Sequence, residues 1–168
     1  ESNQNFSLAA GALADAYRHL KQHEKAQKLY QTAIWLNEEK LRRRTGWNLT
    51  QFLKSIHADL IYYRCRLGQW DEAEKILESL EPESRENLFW LAGMILLGRS
   101  KEGGPPRLAD EALEVLCQAY HKGCSDYRFL EFLSEMKDAG HRFPCLHEEH
   151  AQPRGGEADR PFVTSVRR

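Results

Sequence analysis

Apolar residues recur three and four positions apart along most of this chain, the spacing of helices with one buried face, and no stretch alternates as a strand would. The first helix is predicted from about Asn5 to His19, with Leu13, Ala14 and Tyr17 on one face and Ala9, Ala10 and Ala12 permitting close approach of a neighbour. After the polar turn Lys21-Gln22-His23, a second helix carries Ala26, Leu29, Tyr30, Ala33, Ile34 and Leu41 and reaches Arg44 before Gly46 stops it. The third starts at an Asn48 N-cap, bears Leu49, Phe52, Leu53, Ile56, Leu60, Tyr63 and Leu67, and closes at Gly68. The fourth runs from Asp71 through Ala73, Ile76, Leu77 and Leu80 to Pro82. The fifth spans about Ser84 to Leu97 with Leu88, Leu91, Ala92 and Ile95 inward, and the stretch to Pro106, holding Gly103-Gly104-Pro105-Pro106, interrupts it. A sixth helix covers about Leu108 to His121 with Ala112, Leu113, Leu116 and Ala119, ending at Gly123. Ser125 caps a seventh with Tyr127, Phe129, Leu130, Leu133 and Met136, closed by Gly140.

Three alanines sit in near-matching company: Ala26 in Glu24-Lys-Ala-Gln-Lys-Leu-Tyr30, Ala73 in Asp71-Glu-Ala-Glu-Lys-Ile-Leu77, and Ala112 in Asp110-Glu-Ala-Leu-Glu-Val-Leu116. Each opens a helix that follows an earlier helix and a turn. A motif recurring in this way predicts stacked helix pairs, because one pair cannot bury its own apolar face. The fold class expected is all-α, a right-handed α-solenoid of about three helix-turn-helix repeats plus a C-terminal capping helix, over residues 1–140. Residues 141–168, with Pro144, Pro153, Pro161, Gly155 and Gly156 and few apolar anchors, read as an irregular tail.

The first pair resembles a tetratricopeptide repeat. Ala10, Leu13, Ala14 and Tyr17 match that family's first-helix signature, and Ala26, Tyr30 and Ala33 match its second. Gly68-Gln69-Trp70-Asp71-Glu72-Ala73 is similar to the family's inter-helix turn, although Arg64 stands where a large apolar residue belongs. Leu91, Ala92, Ile95, Ala112, Leu116 and Ala119 continue the pattern, while the inserted turn and Ala119-Tyr-His-Lys-Gly123 are also similar to Sel1-like repeats. The spacing is 47 residues from Ala26 to Ala73 and 39 from Ala73 to Ala112, against ~34 for a regular repeat, so the helices are long and the curvature irregular. The resemblance implies ligand binding in a concave groove lined by the first helix of each pair, and no catalysis. It also implies that the chaperone-tail clamp is absent, because Gly11 and Asp15 occupy the positions where clamping members carry Lys and Asn.

Composition changes little of this. The net charge of −1 supplies no global field for nucleic acid or an anionic membrane. The longest apolar run, Leu88 to Leu97, is too short to span a bilayer, and no segment has the order of a signal peptide. The start at Glu1 without methionine reads as a fragment of something longer. Cys65, Cys117, Cys124 and Cys145 are few and irregularly spaced, which reads as reduced thiols and a cytoplasmic or nuclear location. Asn5-Phe-Ser7 and Asn48-Leu-Thr50 fit the glycosylation triplet by chance.

Candidate chemistry is sparse. Cys117, His121 and Cys124, with Cys145, His147 and His150, match no compact zinc module, so the expectation is no metal and no cofactor. The run Lys40-Leu-Arg-Arg-Arg44 reads as cations at a helix C-terminus in preference to a phosphate contact. Seven acids lie between Asp71 and Glu86 on a solvated face, with a basic partner as the other reading. No nucleophile elbow, phosphate loop or paired-histidine helix appears, and His57 and Asp59 lie about 200° apart around one helix. The predicted function is a non-catalytic protein-interaction scaffold that binds a peptide segment of a partner protein. The predicted groove residues are Asp15, Arg18, Tyr62, Arg66, Glu86 and Trp90, with Trp90 the favoured anchor and Trp70 packing the turn. The alternative is an assembly module whose apolar terminal helices pack on another subunit or domain, self-association or the rest of a longer chain included. Membrane is excluded, and RNA binding through Arg42, Arg43 and Arg44 trails because the chain is near neutral.

Overall fold

A computed structural model describes residues 6–43 and 49–141. Among these the chain is all-α: α1 (Phe6–His19), α2 (His23–Arg42), α3 (Leu49–Arg66), α4 (Trp70–Glu78), α5 (Pro82–Asn87), α6 (Phe89–Lys101), α7 (Arg107–His121) and α8 (Tyr127–Asp138). No strand occurs among the described residues, and no described helix is long and apolar enough to cross a membrane. The Asn48 cap, Trp47 and the tail beyond His141 lie outside the described residues.

Neighbours in sequence pack in space. The helix α1 lies on α2, α2 on α3, α3 on α4, α3 and α4 on α6, and α6 on α7. The three alanines of the recurring motif, Ala26, Ala73 and Ala112, are all buried. Gly11 in α1 goes further. A Cβ there would lie 2.1 Å from the Tyr63 hydroxyl oxygen, so only a bare Cα lets α3 come this close. Aromatic rings then form one connected string through the interior: Tyr30 to Tyr63 at 5.9 Å between centroids, Tyr63 to Tyr62 at 5.7 Å, Tyr62 to Trp90 at 6.1 Å and Trp90 to Phe129 at 5.8 Å. These are the tilted and edge-on spacings that aromatic quadrupoles favour.

The first two turns share one conformation. Gln22 has φ −90 and ψ 64, and Gln69 has φ −88 and ψ 64, each directly ahead of the second helix of its pair. The residue before each is left-handed, Lys21 at φ 57 and Gly68 at φ 73. Matching bonds close them, Gln22 N–H to the Tyr17 carbonyl and Gln69 N–H to the Arg64 carbonyl, both 2.9 Å.

Several expectations need correction. The single helix expected over Ser84 to Leu97 is two, α5 and α6, bent at Leu88, whose N–H bonds the Arg85 carbonyl three residues back. The helix α6 also continues through Gly98 to Lys101. Gly98 does not stop the helix; it accommodates the Trp70 indole, which a Cβ would meet at 2.4 Å. On α8, Tyr127 and Leu130 are exposed, while Arg128 and Phe132 face inward with Phe129, Leu133 and Met136. Leu13, read as a core position, is 48% exposed.

Candidate functional site

The predicted groove residues do not face solvent as a set. Asp15, Tyr62 and Trp90 are buried, Trp90 to 1% exposure, because α8 covers the face that α1, α3 and α6 present. The exposed anchor expected at Trp90 is therefore corrected: its ring is buried against Phe129 and only borders the open cleft that Glu86 also lines. Trp90 was read as outward because it lies off the Leu88-Leu91-Ile95 stripe. In the structure α6 is buried on most of its sides, so an off-stripe position such as Trp90 is buried as well.

Four of the six residues meet in one network. The Asp15 carboxylate accepts hydrogen bonds from the Tyr30 hydroxyl and, at 2.8 Å, from the Tyr62 hydroxyl. Tyr62 in turn accepts from Arg66 Nε at 3.0 Å. Arg66 reaches α8 through both terminal nitrogens, to Glu135 Oε2 at 2.8 Å and Oε1 at 3.2 Å, a bidentate fork. Arg18 binds the same Glu135, and His19 binds Glu131 one turn earlier on α8. Burial would push the Glu135 carboxyl up, but the hydrogen bonds and charges of Arg66 and Arg18 outweigh it and hold the group below its usual range. Burial likewise pushes the Tyr30 and Tyr62 hydroxyls far above theirs, so both remain donors at any physiological pH.

A second anchor lies at the other end of α8. Arg128 donates to Asp59 at 2.7 Å, and to Asp126, whose side chain also caps the helix by accepting from the Arg128 N–H at 3.0 Å. Burial raises the Asp59 carboxyl, with Arg128 opposing. The Tyr62 ring is thus held between two guanidiniums, Arg66 at 4.9 Å and Arg128 at 5.2 Å from its centroid. Sequence reasoning missed Arg128, Glu131 and Glu135. The available signal was Asp59, an acid set between Ala58 and Leu60 on a largely apolar helix, which requires a cationic partner from elsewhere.

Glu86, the sixth residue, is remote from this network. It lines an open cleft of about 640 Å³ with Phe89, Lys122 and Asp126, and Lys122 Nζ lies 3.4 Å from its carboxylate.

Other candidates resolve into structural roles. His19, Glu131 and Glu135 have ligand atoms within 4.8 Å of one another, the one such metal-competent group among the described residues. The Arg18 guanidinium already occupies that space, bonded to Glu135 and 3.7 Å from Glu131, and would repel a cation. Cys117 is disulfide-bonded, which corrects the reading of four reduced thiols and removes it as a zinc ligand. Cys65 and Cys124 are free, and burial pushes the Cys65 thiol up to about 12, leaving it inert. Lys40 Nζ donates to Ser7 Oγ at 2.5 Å, but Ser7 is buried and presents no hydroxyl to a substrate. Arg42 and Arg43 pair with Glu39 at the end of α2.

One feature lies outside the network. Phe6, Ala9, Leu13, Ala16 and Leu20, spaced alternately three and four apart, form an apolar seam along the exposed side of α1. Phe6, Leu13 and Leu20 are 57%, 48% and 66% exposed.

Compared with protein-family models, with curated proteins and with solved structures, the chain matches none.

Proposed function

We propose that this chain is a non-catalytic protein-interaction scaffold, a solenoid of three helix pairs (α1/α2, α3/α4, α6/α7) with α8 as an added helix. The observation that carries this reading is the exposed seam Phe6-Ala9-Leu13-Ala16-Leu20. Within the molecule, helices bury such stripes against the next helix, with alanines at the crossings. On α1 the same kind of stripe has no covering helix among the described residues. Large apolar groups at one set of positions and alanines at the other suit a helix packing at coiled-coil distance. The expected partner element is an amphipathic helix of another protein or of a longer polypeptide.

The test uses Leu13→Glu and Leu20→Glu together, with Arg66→Glu as the comparison. Affinity capture quantified by mass spectrometry should show a defined set of proteins lost with the α1 pair. Circular dichroism should show that the pair leaves the helical content unchanged, because both positions are exposed. If a folded α1 variant retains every protein the wild type captures, the outer face of α1 is not the docking surface.

Capture of a peptide by the α1/α3/α6 face is the second reading. What favours it is α8 itself, since a helix of this chain already occupies that face through paired charges and aromatic contacts.

A further inference from the structure

The face beneath α8 carries a definite order of chemistry. Arg18 and Arg66 stand at one end, the Tyr62 and Trp90 rings in the middle, and Asp59 at the other end. The helix α8 answers each in turn: Glu135 to the two arginines with the Phe132 ring beside Arg66, Phe129 to the Trp90 ring, Arg128 to Asp59. The manner of attachment separates α8 from the other helices. It is absent from the pairs whose backbones pack closely, and its charged ties are made by long side chains that reach across. The segment from Lys122 to Asp126 that joins it to α7 is short and turns at Gly123, φ +75, a left-handed conformation that glycine adopts without a Cβ penalty.

We infer that this face is a docking site for an amphipathic helix of a partner protein, and that α8 is the resident which the partner displaces. Charge complementarity fixes the chemistry of the incoming helix. It carries an arginine, aromatic residues one and four positions later, and a glutamate seven positions later, as Arg128, Phe129, Phe132 and Glu135 do. This inference rests on the scaffold reading but uses a surface other than the α1 seam, so either can fail alone. Intramolecular α8 holds the site at an effective concentration in the millimolar range, which keeps a weakly matched helix out. Only a partner that reproduces the whole pattern competes.

The experiment uses the full chain and a fluorescein-labelled peptide of residues 126–138. Glu135→Arg, on a partly exposed side chain, sets α8 against Arg18 and Arg66 while leaving α1 to α7 intact. The peptide should bind the Glu135→Arg chain about tenfold or more tightly than the wild type in fluorescence anisotropy, as the intramolecular competitor is weakened. The same peptide carrying Glu135→Arg should lose that gain, and Leu13→Glu in the chain should not affect it. Hydrogen exchange on the wild-type chain supplies an independent check, with α8 amides opening well before those of α2, α3 and α6. The inference is overturned if α8 exchanges only with global unfolding, or if the peptide binds neither chain. A Glu135→Arg chain that dimerises in light scattering and ignores the peptide assigns the face to a second copy, and overturns the partner helix.

Discussion

Replacing Gly98 by alanine separates two views of the α6 C-terminal region. A glycine inside an exposed helix is destabilising relative to alanine, so on propensity alone Gly98→Ala would stabilise by about 1 kcal/mol. The structure gives the opposite sign. An alanine Cβ at this position would lie 2.4 Å from Trp70 Cη2 and Cζ2 and 2.5 Å from Cζ3. Carbon atoms in ordinary contact sit about 3.5–4.0 Å apart, so the indole would have to withdraw by more than about 1 Å. A cavity of about 310 Å³ bordered by Trp70, Met94 and Phe132 leaves room for part of that movement. Overpacking of this kind costs about 1–3 kcal/mol. Subtracting the propensity gain of about 1 kcal/mol leaves a net destabilisation of up to about 2 kcal/mol. Urea unfolding followed by far-UV circular dichroism measures it directly. A double-mutant cycle identifies the cause, because in a Trp70→Ala background the clash is gone and Gly98→Ala should stabilise by about 1 kcal/mol. A rise in the urea midpoint for Gly98→Ala in the wild-type background would refute the close approach.

Asp15→Ala leaves the buried Tyr30 and Tyr62 hydroxyls without their acceptor and should destabilise by about 2–4 kcal/mol in urea unfolding, whereas Asp15→Asn, which keeps an acceptor, should lose less than half of that. Glu135 has a depressed carboxyl, so its contribution is complete above the ordinary carboxylate range near pH ~4.3 and is lost as pH falls through the lower native value. Stability measured from pH 5 downward should therefore fall less steeply in Glu135→Gln than in the wild type, and equal slopes would contradict the arginine clamp. Lys21 holds a left-handed conformation that Gly68 supplies in the equivalent turn, so Lys21→Gly should stabilise by about 0.5–1 kcal/mol in thermal melts, the relief of strain exceeding the added entropy of the unfolded chain.

The helices and their pairing were legible because their signals are local. Gly68, Gly123 and Gly140 end helices with positive φ, and Ala26, Ala73 and Ala112 are buried as expected. What was not legible depended on contacts distant in sequence. Gly98 resembled a stop until Trp70, 28 residues earlier, was found lying on it. The candidate site failed for the same reason. Arg18, Tyr62 and Arg66 were read as lying on the exposed side of the first helices, and periodicity cannot report that residues 127–138 return to cover them. Trp90 lies in an apolar run that fills every face of its helix, where period gives no inside or outside. Leu13 failed differently: α1 is the first helix described, and no described helix covers the side of it that carries Leu13.

The polar groups buried under α8 also decide its direction. Hydrophobic burial of Phe129, Phe132, Leu133 and Met136 is nearly indifferent to which way a helix runs along a groove. Charge is not. Reversed end to end, α8 would bring Arg128 against Arg18 and Arg66, and Glu135 against Asp59, placing like charges together in a partly dehydrated site. One orientation pairs both ends; the other leaves both unpaired and repelling, a difference of several kcal/mol for a buried charge left without its partner. The same asymmetry would act on any helix entering from another protein. On the displacement proposal, Asp59, Arg18 and Arg66 would act as a direction filter, and a peptide presenting the α8 pattern in reverse order should fail to bind even though its apolar content is unchanged.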